Sequence, residues 1–146
     1  MPAAPRALLD VNVLIALLDA DHASHAAAMA WFAEHAERGW ASCPITQNGC
    51  VRIMSHPGYP NAHPVSGVVE RLRDATAHRA HTFWPDDASL LDAARVDATR
   101  VHGPRQITDA YLLALAVAHG GRLVTFDSAI PLTAVAGAKP KHVVVL

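Results

Sequence analysis

Apolar residues recur along this chain in short blocks separated by turn residues, alternating with longer stretches at helical spacing. Arg6-Ala7-Leu8-Leu9 reads as a short buried strand. A helix follows from about Asn12 to Leu18. A second helix, Ser24 to Arg38, carries Met29, Phe32, Ala33 and Ala36 on one face and stops at Gly39. Trp40-Ala41-Ser42 is a second strand. Pro44 opens a helix that runs to about Met54, because a proline is tolerated in the first turn. His56-Pro57-Gly58-Tyr59-Pro60 is a loop. Val65, Val68, Val69 and Leu72 mark an amphipathic helix, and Thr82-Phe83-Trp84 a third strand.

Asp86 or Asp87 can cap a helix carrying Leu91, Ala94, Ala98 and Val101. Gly103-Pro104-Arg105-Gln106 breaks the chain. Thr108 can cap the next helix, which ends at His119 before Gly120-Gly121 and is apolar nearly all round, as a buried helix is. Arg122–Phe126 is the clearest strand. His142–Leu146 is a last one, apolar like a strand covered on both faces. Strands alternating with helices predict an α/β fold, a three-layer α/β/α sandwich with a mostly parallel sheet and right-handed crossovers, in a single domain over 1–146.

Composition narrows the function. At 51% apolar and 17% charged residues the chain is not disordered. Twelve basic against thirteen acidic side chains give a net charge of -1, which excludes polycationic binding to nucleic acid and leaves only a local basic rim or a metal. If Cys43 and Cys50 share a helix, seven residues of rise put them roughly 10 Å apart, too far for a disulfide. They are expected as reduced, buried thiols. No signal pattern opens the chain and no apolar run approaches the roughly 18 residues that span a bilayer, so a cytoplasmic protein with no membrane contact is expected.

Candidate chemistry comes from topology. Ligands of such sheets bind at the carboxyl edge of the strands. Asp10 follows the first strand, Asp127 follows the strand Arg122–Phe126, and Asp109 opens the helix preceding that strand. Gln47 lies one turn into the helix after the second strand. All four belong to the same edge. Three carboxylates together demand a cation or raise one another's pKa, and Mg²⁺, with Mn²⁺ as a substitute, suits an all-oxygen set. Zinc is disfavoured, because no His or Cys has ligand spacing there. Each residue also has an ordinary role: Asp109 as a first-turn acid beside Thr108, Asp10 as a helix cap, Asp127 as a turn residue, Gln47 as a solvated side chain. Asn12, two residues after Asp10, either caps the helix or holds the Asp10 rotamer. His22, His25, His78 and His81 read as surface or structural residues.

These residues resemble a known family. Leu8-Leu9-Asp10-Val11-Asn12-Val13-Leu14-Ile15 resembles the opening of PIN-domain ribonucleases. Ile107-Thr108-Asp109-Ala110-Tyr111-Leu112 resembles their third acidic motif, and Leu123-Val124-Thr125-Phe126-Asp127 their closing one. Cys43-Pro44-Ile45-Thr46-Gln47-Asn48-Gly49 stands where the second motif belongs. The spacing and length are similar to VapC, the toxin family of VapBC toxin–antitoxin pairs. The resemblance implies a Mg²⁺-dependent endoribonuclease that hydrolyses RNA with an activated water and leaves 5′-phosphate and 3′-hydroxyl ends. It implies Asp10, Asp109 and Asp127 as metal ligands and, with Gln47, as the catalytic set, with Asn12 and Thr108 behind them. It also implies a homodimer and a small VapB-like antitoxin across the acidic edge. The family usually has glutamate where this chain has Gln47, so the site holds three negative charges instead of four and binds metal less tightly.

RNA would then be held by local arginines, with Arg52, Arg100 and Arg105 as candidates. Phe32, Val68, Val69 and Leu72 are read first as core and second as partner contacts. Two rivals stand beside the nuclease. One is a PIN-like module that binds RNA or a partner without cleaving. The other is a response-regulator-like or phosphatase domain, weakened because the only lysines are Lys139 and Lys141. A dinucleotide fold or P-loop lacks its glycine motif.

Overall fold

In a computed structural model, residues 5–146 are described. Five strands, β1 (Ala7–Leu9), β2 (Trp40–Ser42), β3 (His81–Phe83), β4 (Arg122–Thr125) and β5 (Val143–Val145), form one sheet in the order β3-β2-β1-β4-β5. Every pairing is parallel. Five helices surround it: α1 (Val11–Leu18), α2 (His25–His35), α3 (Pro44–Met54), α4 (Val65–Thr76) and α5 (Ile107–Ala118). This is the α/β sandwich that the alternation predicts.

Successive side chains of a strand point to opposite faces, and the two cores obey that rule. Ala7, Leu9, Trp40 and Val124 pack with Val13, Leu14, Cys50, Met54, Val68 and Leu72 of the helices on one face. Leu8, Ala41 and Leu123 pack with α5 on the other, where Leu112 to Ala116 are buried without interruption. No helix among the described residues is long and apolar enough to cross a membrane. Cys43 and Cys50 are both free and buried.

Four local expectations are corrected. The helix expected after Asp86 does not form. Val96 bridges Val135 antiparallel, and the Asp97 amide donates to the Ala134 carbonyl, so the segment is drawn into pairing with a distant loop. Asp92 and Asp97 also accept from the amides two residues on, Ala94 and Thr99, a turn geometry that competes with helix. Leu91, expected on an apolar helix face, is 93% exposed. Thr108 does not cap α5: the helix begins one residue earlier, after a 3₁₀ turn Pro104–Gln106, and Gln106 at the cap makes no side-chain capping bond. The last strand, β5, is an edge strand paired only to β4 and is part-exposed, not covered on both faces. The second helix ends at His35, with a 3₁₀ turn Ala36–Arg38 completing the expected stretch.

Candidate active site at the carboxyl edge

The chain moves outward from β1 through β2 to β3, then returns to the other side of β1 for β4 and β5. The direction reverses between β1 and β4, and ligands of open parallel sheets bind at such a switch point. Asp10 leaves β1 at that crevice. Thr125 ends β4 there, with Asp127 two residues on.

Asp10 is 6% exposed. Its backbone is extended and one carboxylate oxygen accepts from the Val11 amide (2.7 Å), so it caps α1 as the ordinary reading has it. The other oxygen accepts from the Thr125 hydroxyl at 2.7 Å. Thr125 is fully buried, and the same hydroxyl oxygen accepts from the Asp127 amide (3.0 Å) and the Asn12 side-chain amide (3.4 Å). The Asn12 carbonyl oxygen in turn accepts from the Phe126 amide at 3.3 Å. Asn12 therefore does not cap the helix, and its side chain hydrogen-bonds Thr125 and Phe126 rather than Asp10; it braces the end of β4 and reaches Asp10 through Thr125. Asp127 is fixed from its other side, where one carboxylate oxygen accepts from the Ala129 amide (2.8 Å).

Thr125 is the residue the sequence reasoning misses. Its signal is there to read: one hydroxyl in the otherwise apolar run Leu123–Phe126, two residues before an aspartate. A lone polar side chain in a buried strand needs a partner, and Asp10 is that partner.

Asp109 enters from the first turn of α5. Burial, then the Asp10 charge, then the Asp127 carboxylate together push its carboxyl up to about 7. Asp10 is likewise raised, chiefly by burial, against the lowering effect of the Thr125 and Val11 bonds. The three aspartates thus share one electrostatic environment although 117 positions separate the first from the last (127 − 10 = 117).

The donor set fits a hard divalent cation. It is all carboxylate oxygen, and it is short of positive charge, as the raised Asp109 shows. Among the described residues, no three His, Cys, Asp or Glu side chains converge closely enough to enclose an ion by themselves. Mg²⁺ does not require such a cage, since it commonly takes one or two carboxylates and keeps several waters.

Gln47 bonds the end of β2. Its amide nitrogen donates to the Ser42 hydroxyl at 2.9 Å, and that hydroxyl pairs with the His81 imidazole at 2.8 Å. Thr108 is exposed. Of the arginines, Arg105 is exposed in the 3₁₀ turn that leads into α5. Arg100 pairs with Asp97 (3.3 Å), and Arg52 lies on the exposed flank of α3 beside the His56–Pro60 loop. Phe32 and Val69 are partly buried, and Val68 and Leu72 are core residues. The histidines serve structure: His25 bonds the Ala16 carbonyl, His22 accepts from the Ser24 amide, and His78 accepts from Trp40 and the Ala80 amide.

A parallel sheet with three acids at its switch point is a ligand-binding α/β fold. The PIN domain family matches residues 7–136, and the chain belongs to that family. Within it the chain is similar to VapC ribonucleases of Mycobacterium tuberculosis (strain ATCC 25618 / H37Rv). It is 57% identical to Ribonuclease VapC44 over 141 residues, covering 97% of this chain and 99% of that one. It is 46% identical to Ribonuclease VapC39 over 132 residues (90% and 95%) and 44% identical to Ribonuclease VapC38 over 128 residues (85% and 86%).

Proposed function

We propose that the protein is a metal-dependent endoribonuclease, the toxin of a toxin–antitoxin pair, that hydrolyses RNA phosphodiester bonds. The observation that supports this most is the meeting of Asp10, Asp109 and Asp127 at the switch point in a setting that raises Asp109 to about 7. Asp10, Asp109 and Asp127 would hold the cation, Mg²⁺ or Mn²⁺. Bound there, it supplies positive charge against the phosphate oxygens and lowers the pKa of water for in-line attack. The protein's own part is placement. Asp10 is locked by Thr125 and Val11, Asp127 by Ala129, and Asp109 is carried on a helix whose positive end faces the crevice. Arg105, one turn before Asp109, is the arginine best placed to meet RNA phosphate. A VapB-like antitoxin presenting a cation to the three acids would silence the site by charge pairing, and the active form would be a homodimer.

The test is cleavage of total RNA with Mg²⁺ or Mn²⁺, with EDTA, and with the Asp10→Ala chain, followed by end-group mapping. Cleavage that needs the metal and Asp10 and leaves 5′-phosphates is the expected result. Metal-independent cleavage, or 2′,3′-cyclic ends, overturns the mechanism. Intact RNA under every condition favours the second reading, a domain that binds without cutting, for which Gln47 in place of the usual glutamate is the supporting observation.

A further inference from the structure

A groove of about 330 Å³ lies between α3 and α4, separate from the aspartates. It is lined by Gln47, Asn48 and Val51 of one helix and Val69, Leu72 and Arg73 of the other. Its size is at the small end of ligand pockets, roughly 300–1,000 Å³. The lining is of two kinds. Val51, Val69 and Leu72 are apolar walls. Gln47, Asn48 and Arg73 are polar groups, and those groups are available. The Gln47 amide nitrogen is held by Ser42, which leaves its carbonyl oxygen without a partner among the described residues. The Asn48 and Arg73 side chains make no hydrogen bond or ion pair among the described residues, and both residues are exposed.

Apolar walls with the free Asn48 amide, the free Gln47 carbonyl oxygen and one guanidinium match the chemistry of a nucleobase. A base has apolar faces and an edge of alternating donors and acceptors. Amide side chains read that edge because they too carry one donor and one acceptor, and a guanidinium stacks on the face or bonds the edge. A phosphate alone would call for more cations and gain nothing from the three apolar side chains.

The position suits a nucleotide next to the reacting phosphate. Gly49 of α3 faces Val11, the residue after Asp10, so closely that an added Cβ would come within 2.8 Å of a Val11 methyl. Gln47 and Val51 lie on another side of the same helix. The groove is thus about one helix diameter, roughly 10 Å, from the start of α1.

We propose that this groove is a nucleobase pocket, with Gln47, Asn48 and Arg73 choosing which base sits beside the cleaved bond. Its role in cleavage rests on the nuclease reading above, but base binding can be measured without cleavage. The four ribonucleoside 5′-monophosphates, and inorganic phosphate as the fifth probe, are titrated into the wild-type, Asn48→Ala and Arg73→Ala chains. The Val51, Val69 and Leu72 methyl resonances are followed. One or two nucleotides should shift these methyls and bind on the order of tenfold more tightly than the others, a modest share of what a well-made base contact contributes. Asn48→Ala should reduce that preference, and inorganic phosphate should leave the methyls unmoved. Unmoved methyls with all four nucleotides, or the same shifts with phosphate alone, overturn the pocket. Base-selective shifts in a chain that leaves RNA intact with every metal keep the pocket and remove the nuclease. Metal-dependent cleavage without base-selective shifts does the reverse.

Discussion

Thr125→Val removes one hydroxyl from a fully buried site and changes the shape of the side chain little. Three bonds go with it: the donation to Asp10 and the acceptances from the Asp127 amide and Asn12. The first matters most, because a hydrogen bond to an ionised carboxylate is worth about 1.5–3 kcal/mol. Asp10 is already penalised by burial, and the Thr125 bond is the main force opposing that penalty. At neutral pH the variant should lose about 1.5–3 kcal/mol of stability, or roughly 3–12 °C in Tm for a chain of this length. It should also loosen the Asp10 carboxylate. Groups that orient a metal ligand typically govern about 10–100-fold of metal affinity or activity. The assay is Mn²⁺ binding by calorimetry beside urea unfolding, with far-ultraviolet circular dichroism to establish the fold. Thr125→Ser, which keeps the hydroxyl, should recover most of the metal affinity even where it packs less well. A Thr125→Val chain that folds and binds Mn²⁺ within twofold of wild type would refute the reasoning, since Asp10 would then need no fixing.

Three further outcomes are expected. Gly49→Ala should destabilise the fold: overpacking against Val11 costs about 1–3 kcal/mol, more than the gain in helix propensity of about 1 kcal/mol, and Val11→Ala in the same chain should recover part of the loss in urea melts. Arg105→Ala should lower RNA affinity and reduce the slope of log K against log salt by about 1; a binding titration with an unchanged slope removes Arg105 from the RNA path. The His81 imidazole is held below its usual pKa, chiefly by burial. The unfolded chain therefore takes up that proton first, and the His81 contribution to stability, full above about 6.5, declines as pH falls below it. Unfolding free energy measured from pH 7.5 to 5.5 should fall less steeply in His81→Gln than in wild type.

The acidic edge was legible because topology is cheap to read. An aspartate after a strand, or at the start of the helix before one, lies at the carboxyl end wherever the strand order runs. What topology does not carry is side-chain direction. Gln47 and Gly49 are two residues apart on one helix; Gly49 packs against Val11 at the start of α1, and the Gln47 side chain bonds Ser42 at the end of β2. The stretch after Trp84 failed for another reason. Its apolar spacing is helical, but Asp92 and Asp97 bond their own backbone, and the partner that captures Val96 lies 39 positions away (135 − 96 = 39). Pairing across that distance leaves no local periodicity. The edge position of β5 was hidden likewise, because valine-rich runs look alike in central and outer strands.

The central place of β1 governs when the molecule becomes competent during synthesis. Its partner β4 begins 113 positions after β1 ends (122 − 9 = 113). A nascent chain with α1 and α3 already outside the ribosome still lacks Thr125 and Asp127, so its first aspartate has neither its hydroxyl brace nor its companions. A chain cut short before β4 would keep Asp10 and Asp109 but lack Thr125 and Asp127, so the acidic edge is completed only once β4 and the residues that follow it have been made.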